Sequence, residues 1–368
     1  MNPGPRSDTL GAKAINSAAS TAAVHSAAHA AKYDPGASSD DPARGLMDVA
    51  VIVVGFNDAT WLAPCLQSVM NEIPPECVYF VDNASEDNSA ELVTEGFPQV
   101  HVTRNSENRG FAGGNNQVLS MLALNGDYRY AFLLNPDTVV PIGLISGLRD
   151  FMEEFPGYVA VGPLQTEYLE VDSRSELNRV SRRDLQIGQY HVLRRWLPEF
   201  DLKISQDDPV GVLGVYYVQG SAFFARMDLF RDIGFFDELY HAFFEEVDLC
   251  RRARWHGHKL GILTWLHIRH ASRGAANRSR YRIYYRIRNK YLFVLTDPEL
   301  PGRTIPLLVF RLLMRDMRLL PNSGSSQDFR VSSFTHALLW LMSHGREIVR
   351  GRRWRRAQMA VRGDPVVV

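Results

Sequence analysis

Three groups of carboxylates stand where the chain leaves an apolar run. Asp137 follows Tyr130-Ala131-Phe132-Leu133-Leu134, a run that reads as a buried strand and ends in Asn135-Pro136-Asp137. Proline has no N–H for a sheet ladder, so the strand stops there and leaves a carboxylate at its C-terminal end. Asp82 closes a second short apolar run, Val78 to Val81, and leads into Asn83-Ala84-Ser85. The third group, Glu245-Glu246-Val247-Asp248, opens a helical stretch that continues through Leu249-Cys250-Arg251-Arg252. Taken singly, each has an ordinary explanation: Asp is common in turns, and acids suit a first helical turn because of the helix dipole. Taken together they divide three tasks. One acid at a strand end accepts N–H groups from a nucleobase. A second binds a hard divalent cation through oxygen. A third acts as a general base if apolar neighbours such as Phe243 and Phe244 raise its pKa.

Between the strand-end acids lies Asn105 to Asn116, NSENRGFAGGNN. Its GxxGG core is neither a Walker loop nor a dinucleotide fingerprint. Such a stretch at a helix start exposes backbone N–H groups to a phosphate or sugar, or simply begins a helix.

These residues need a scaffold. Val49 to Val54 is a continuous β-branched run, as expected of a parallel strand buried on both faces. Ala59 to Val69 has helical apolar spacing, and Val100 to Thr103 reads as a third short strand before the strand at Tyr130 to Leu134. A helix is expected around Ala90 to Val93 and another through Gln117 to Leu124. Strands alternating with helices imply a doubly wound α/β sheet, whose ligands sit at the carboxyl ends of the strands. Val212 to Val218 and Gly261 to Leu266 are later strand-like runs, with His267 and His270 just beyond the second.

Residues 1–45 are rich in Ala, Ser, Gly and Pro and are expected to be a disordered tail. Residues 46–292 are expected to form the catalytic domain, and 293–368 a basic, amphipathic helical region. Residues 165–210 are polar and irregular, an expected excursion that helps select an acceptor. Cys65, Cys77 and Cys250 are scattered, with no CxxC pair, so neither a disulfide framework nor a zinc site is indicated.

Formal charge is zero overall but unevenly spread. From Arg269 onward there are 20 Lys and Arg against 6 Asp and Glu, and the preceding residues carry the opposite excess. The C-terminal part therefore has a reason to face anions. Arg311, Arg315 and Arg318 share one face of an apolar helix, which argues against a membrane span. The run GRRWRR from Gly351 beside amphipathic helices reads as an interfacial membrane anchor or as a helical hairpin with solvated arginines. No nucleic-acid-binding motif is recognised, and no nucleic-acid partner is expected.

The ordered set VIVVGFND, VDNASEDNS, NRGFAGGNN, LLNPDT, GSAFFARMDLF, GFFDE and FFEEVDLCRRAR, within residues 48–292, resembles the inverting family 2 glycosyltransferases, most closely the bacterial rhamnosyltransferase-like group. The resemblance implies a GT-A fold, a Rossmann-like, mostly parallel sheet that binds a nucleotide-diphospho-sugar, and a divalent metal, Mg²⁺ or Mn²⁺. By resemblance, Asp82 holds the nucleobase with Asn83 and Ser85 beside it, and Asn108, Gly110, Gly113, Gly114 and Asn115 shape the donor pocket. Asp137 takes the place of the metal-binding acid of the family's DxD, with Asn135 at its first position. Glu246 falls on the general base of F-E-D-V-D, Glu245 competes for that role, and Asp248 is the motif's last acid. His267 matches the His of H-x-x-G-x-S, with His270 in place of Gly, and is a third metal ligand or a strand-end hydrogen-bonding group. Arg288, in a YYxxRN segment, contacts the diphosphate or caps a helix. The implied donor is dTDP-L-rhamnose, with UDP-linked galactofuranosyl, glucosyl or N-acetylhexosaminyl donors as the alternative. The implied acceptor is a surface glycan or lipid-linked sugar, met at the cytoplasmic side of a bacterial membrane.

Overall fold

The structure, a computed structural model, describes residues 46–167, 208, 209, 211–271, 280–319 and 327–360. The N-terminal tail, most of the 165–210 excursion and Ser272 lie outside these residues.

Nine strands form one mixed sheet: β1 (Val49–Gly55), β2 (Val78–Asp82), β3 (His101–Arg104), β4 (Tyr130–Leu134), β5 (Thr138–Val139), β6 (Tyr158–Glu167), β7 (Val212–Gly214), β8 (Ala222–Arg226) and β9 (Lys259–His270). Helices α1 (Ala59–Val69), α2 (Ser89–Gly96), α3 (Gly110–Asn125), α4 (Leu144–Glu154), α5 (Met227–Ile233) and α6 (Glu245–Trp255) cover it. Helices α7 (Arg280–Leu295), α8 (Ile305–Leu319), α9 (Gln327–Ser343) and α10 (Gly345–Ala360) follow. The order across the sheet is β3-β2-β1-β4-β8-β6-β9-β5, with β7 on β9. β1 to β4 are parallel, as the alternation of strands and helices implied, and β8 enters antiparallel between β4 and β6. Only the N-terminal half is therefore doubly wound in the expected sense.

β1 shows why a continuous β-branched run belongs at the centre. Its side chains alternate between two faces. Val49, Val51 and Val53 pack with Leu62, Leu66 and Val69 of α1 and with Leu148 and Met152 of α4. Ala50 and Ile52 pack with Leu119 and Leu122 of α3, Phe230 of α5 and Leu249 of α6.

The structure differs from the sequence reading in several places, of which three bear on the site. α3 starts at Gly110, so the glycine-rich stretch is the helix's first turns rather than a loop before it. β6 went unread, because its Val, Ala, Gly and Pro mixture gives no clean alternation. β9 runs on to His270, so His267 and His270 lie inside a strand rather than beyond one. The paired residues explain the extension: Pro163 faces Leu263, but the next residue, Leu164, faces His267. Three residues, Thr264 to Leu266, are extra on β9, and this bulge re-aims the strand toward β5.

α7 runs through the expected boundary at 292/293, and the C-terminal helices share a core with α6. Phe244 and Val247 pack with Tyr291, Phe293, Leu312, Phe334, Leu341 and Ile348. Inside this contact lies an ionic network with almost no solvent access. Asp248 accepts hydrogen bonds from Arg251 at 2.6 Å, Arg252 at 3.1 Å and Arg355 of α10 at 2.8 Å. Arg355 also reaches Asp237 at 2.6 Å, and Arg251 lies 3.4 Å from Asp297. Three aspartates thus balance three guanidiniums. Removing one partner of a buried pair strands the other and typically costs about 3–5 kcal/mol. Arg355→Ala should lower the unfolding free energy by that order in urea denaturation. A loss within the scatter of a surface substitution would show that α10 is not anchored here.

Candidate active site

The carboxyl edge of the parallel strands gathers the first acids. Gly55 of β1, Asp82 of β2 and Arg104 of β3 stand in register, and Leu134 of β4 pairs with Val53 one turn of pleat earlier. Asp82 Oδ2 accepts the Ser85 N–H at 3.2 Å, while Oδ1 is buried without a hydrogen-bond partner. A buried acceptor without a donor is costly, so Asp82 holds a place for one. Asn83 and Ser85 are otherwise engaged. The Asn83 amide donates to Gly110 O at 2.9 Å and its oxygen accepts from Asn105. Ser85 Oγ accepts the Asn57 N–H at 2.9 Å. Both residues fix the loops around Asp82.

The glycines of α3 serve close packing. Gly110 has φ +70, and a β-carbon there would sit 2.2 Å from the His241 carbonyl oxygen. At Gly114 a β-carbon would meet Val54 Cγ1 at 2.7 Å, and at Gly113 it would meet Arg109 Cβ at 2.9 Å. The helix start therefore lies directly on β1 and on the 239–244 turn. Asn108 Oδ1 accepts the Gly110 N–H at 2.8 Å. Asn115 is buried, its amide donating to Phe111 O and its Oδ1 unpartnered.

Asp137 meets a histidine, and it is His270. The short β5–β9 ladder pairs Thr138 with His270, and Ala271 N donates to Asp137 O at 2.8 Å. His270 Nε2 lies 3.1 Å from Asp137 Oδ1 and 3.5 Å from Asn135 Nδ2. Residues three apart on a strand point to opposite faces, so His267 cannot share that position, and it is exposed. The sequence reading took His270 for a substituted glycine. Extending the strand by four residues would have exposed the parity argument. No group of three or more His, Cys, Asp or Glu that could hold a metal gathers among the described residues. One carboxylate and one imidazole at the cleft edge suit a divalent cation that takes its remaining ligands from phosphate and water.

The acids of α6 separate by environment. Asp248 is buried, yet Arg355, Arg251 and Arg252 outweigh that burial and hold its carboxyl far below the usual range. It is committed to the network and is not a catalytic acid, a correction to its expected grouping. Glu245 and Glu246 are also buried, and each has an Oε2 with no hydrogen-bond partner. Burial raises Glu246 to about 7 against the lowering pull of backbone N–H groups at the helix start and of Arg286. Burial and the neighbouring Glu246 push Glu245 well above the usual range. Each carboxylate disfavours the other's charge, so the two titrate as a pair.

The backbone leading to them is unusual. His241, Phe243 and Phe244 all have positive φ, at 60, 67 and 75°, conformations that cost about 1–3 kcal/mol each outside glycine and persist only where the surroundings impose them. Asn289 of α7 imposes them. Its amide nitrogen donates to the carbonyls of Tyr240 at 2.8 Å, Ala242 at 2.7 Å and Phe243 at 2.7 Å. Arg288 donates to Leu239 O and Tyr240 O and stacks on Trp340, its guanidinium 4.1 Å from the ring centroid. Arg288 is thus buried in the clamp rather than offered to a diphosphate, which corrects the expected donor contact. Asn289 was overlooked although it stands in the quoted YYxxRN segment. Asn289→Ala should lower stability by roughly 2 kcal/mol or more, since buried carbonyls lose their donors at about 1–3 kcal/mol each. Asn289→Asp should fail to restore it, because a carboxylate donates nothing. An Asp variant that melts like the wild type would sink the clamp.

Residues 50–234 match the profile of Glycosyl transferase family 2. Over 207 residues the chain is 25% identical to N-acetylglucosaminyl-diphospho-decaprenol L-rhamnosyltransferase of Mycobacterium tuberculosis, in two strains. That match covers 53% of this chain and 64% of the relative's length. Among solved structures, similarity extends to mannosyltransferase PcManGT from Pyrobaculum calidifontis in complex with GDP-Man and Mn²⁺, at 15% identity and TM-score 0.47, covering 94% of this chain and 95% of that one. It also extends to S. aureus TarS 1–349 in complex with UDP, at 14% identity and TM-score 0.45, covering 87% and 95%. Because the family's region takes in half of the chain and contains β2 and β4, at whose carboxyl ends Asp82 and Asp137 stand, the chain belongs to glycosyl transferase family 2.

Proposed function

We infer that the enzyme transfers a sugar with inversion from a nucleoside diphosphate to an acceptor hydroxyl, with Glu246 as general base. The observation that carries this reading is the Glu245–Glu246 pair, buried at the head of α6 with unpartnered oxygens, where burial raises Glu246 to about 7. Glu246 removes the proton from the acceptor hydroxyl as that oxygen attacks the anomeric carbon from the side opposite the leaving diphosphate. In-line attack inverts the centre. Glu245, next to it, raises the cost of a second negative charge and so keeps one proton on the pair near neutrality. Asp82 takes N–H groups of the nucleobase on its open oxygen, with Asn83, Ser85 and Asn108 holding the loops and Gly110, Gly113, Gly114 and Asn115 bringing α3 against the pocket.

Asp137 and His270, with Asn135 beside them, are the residues to hold a divalent cation, Mg²⁺ or Mn²⁺. When bound there, such a cation supplies charge neutralisation at the leaving diphosphate. The imidazole donor favours Mn²⁺ over a purely oxygen-seeking ion.

The proposed donor is dTDP-L-rhamnose, supported by the sequence similarity to the mycobacterial L-rhamnosyltransferase. The acceptor is then a diphospholipid-linked sugar, as that relative's name describes for itself. A UDP-sugar donor on the same site is the second reading, since Asp82 reads an N–H that thymine and uracil share. Peripheral contact with the cytoplasmic face of a membrane suits a lipid-linked acceptor. No helix of the described residues is long and apolar enough to cross a membrane. α8 does expose Leu307, Phe310 and Met317 along one stripe beside Arg311 and Arg318, the composition of an interfacial helix.

General-base assistance is worth about 10²–10⁴-fold. Glu246→Gln should lower turnover by that order, measured as nucleoside diphosphate release from dTDP-rhamnose and from UDP-sugars. Ionised Glu246 is the working form, so wild-type kcat/KM should fall as pH drops through about 7, and this acid limb should vanish in Glu246→Gln. A variant with near-full turnover would move the role to Glu245. In vesicle flotation the wild type should rise with anionic lipid at low ionic strength, and Leu307→Ser with Phe310→Ser should stay at the bottom. Equal flotation of the two would remove α8 from the membrane reading.

A further inference from the structure

Glu245 and Glu246 each keep one buried oxygen, Oε2, without a hydrogen-bond partner. Buried acceptors call for donors. One attacking hydroxyl answers Glu246, and the Glu245 oxygen stays open to a second hydroxyl of the same acceptor. An aromatic ring stands beside this pair. Tyr281, in the first turn of α7, leaves 41% of its surface exposed. Its ring centroid lies 4.6 Å from that of Tyr285, one helical turn on, and 6.0 Å from that of His241. Tyr285 in turn stacks on His241 at 4.8 Å, with 14° between the ring planes. His241 begins the positive-φ run that leads to Glu245, and Asn289 fixes the carbonyls on either side of it. The exposed ring is therefore braced against the turn that carries the two acids. The site acid within electrostatic reach of its hydroxyl is Glu245. Asp82 and Asp137 stand at the strand ends, on the donor side, whereas this ring belongs with the head of α6.

A pyranose has hydroxyls along its rim and C–H groups on its faces. The C–H groups suit the negative face of an aromatic ring, and the rim hydroxyls suit carboxylate oxygens. We propose that the Tyr281 ring, backed by Tyr285 and His241, is the platform on which the acceptor's own sugar ring lies, with one of its hydroxyls on Glu246 and a neighbouring one on Glu245. The first is the attacking group. The second fixes which hydroxyl is presented to the base. The acceptor class is thus a sugar with two adjacent hydroxyls rather than a simple alcohol or a protein side chain. This inference rests on the glycosyltransferase reading proposed above, and it gives Tyr281 a part in acceptor binding alone.

The test is calorimetric binding to the full chain, with dTDP and Mn²⁺ present, of octyl N-acetyl-β-D-glucosaminide and of octyl tri(ethylene glycol), which has the same tail and no sugar ring. Wild type, Tyr281→Phe, Tyr281→Leu, Tyr281→Ala and Glu245→Leu are compared, and dTDP and UDP affinities are measured in parallel. Tyr281→Phe should bind the glycoside like the wild type, because it keeps the ring face. Tyr281→Ala should lose about tenfold, the order of one stacking contact, and Tyr281→Leu should recover only part of that. Glu245→Leu should weaken the glycoside as well, and dTDP affinity should hold in every variant. Unchanged glycoside affinity in Tyr281→Ala would overturn the platform, and unchanged affinity in Glu245→Leu would overturn the second hydroxyl. An equal loss of dTDP would place the ring in the donor pocket or in the fold, and an equal loss of the ringless ether would give it to the tail; either result sinks the proposal. A wild type that binds the glycoside no better than the ringless ether overturns the platform and leaves the donor site standing. A wild type that binds neither dTDP nor UDP overturns the donor site itself, and the platform with it.

Discussion

The structure depends on holding a left-handed backbone in front of two buried carboxylates. Three non-glycine residues with positive φ within four positions, His241, Phe243 and Phe244, would relax if left to themselves. Several parts of the chain act against that relaxation. Asn289 and Arg288 bind the carbonyls of residues 239 to 243 from one side. From the other, the His241 carbonyl accepts the Ala112 N–H of α3, in a space that only Gly110 leaves open. Below, Asp248 roots α6 in a buried ionic network that draws on α10. The same constraint keeps Glu245 and Glu246 dry enough for burial to raise both carboxyls above their usual range.

The C-terminal helices therefore share one packed unit with α6. Their basic charge was legible from composition, but its use was not. Arg352 donates to the carbonyls of Leu295, Asp297 and Leu300, and Arg355 is buried between Asp237 and Asp248. Neither is a solvated charge nor a lipid contact. A run such as GRRWRR on a helix distributes its arginines around the axis at about 100° per residue. One or two of them must face the protein whenever the helix packs, and composition cannot say which. What remains outward, Arg346, Arg350, Arg353 and Arg356 with the stripe on α8, is a smaller basic surface than the count suggests.

Much of the scaffold was readable because a single rule governs it. β1, β2 and β4 are apolar runs ended by turn residues, and the helix at Ala59–Val69 follows its apolar spacing to the residue. Those elements place Asp82 and Asp137 at the carboxyl edge, as their strand-end positions implied. The reading weakened where pairing becomes non-local. β6 joins antiparallel β8 on one side and parallel β9 on the other, and no local pattern announces such an intermediate strand. The bulge at Thr264 to Leu266 is invisible to an alternation count, yet it decides which histidine faces Asp137. A short motif reading aligned His267 by spacing alone. The strand's parity, once its length is known, assigns the place to His270.

The same distinction between spacing and facing applies to α7. Its residues fall on two adjoining stripes. Arg282, Arg286, Asn289 and Phe293 recur at intervals of three and four on one, and Tyr281, Tyr285, Arg288 and Leu292 do so on the next. The first stripe carries the two arginines over Phe243, the amide that holds the turn, and the ring against Phe244. The second carries Tyr285, which stacks on His241, Tyr281, which meets that ring edge-on, and the guanidinium sandwiched between Tyr285 and Trp340. Arg288 is thus the arginine that supports the turn, and Arg282 and Arg286 lie against the Phe243 ring from the neighbouring stripe. The resemblance of the YYxxRN segment made Arg288 a candidate for a diphosphate contact or a helix cap. Helical phase, tied to the fixed position of Phe243, turns Arg288 into the clamp and leaves Arg282 and Arg286 over the Phe243 ring.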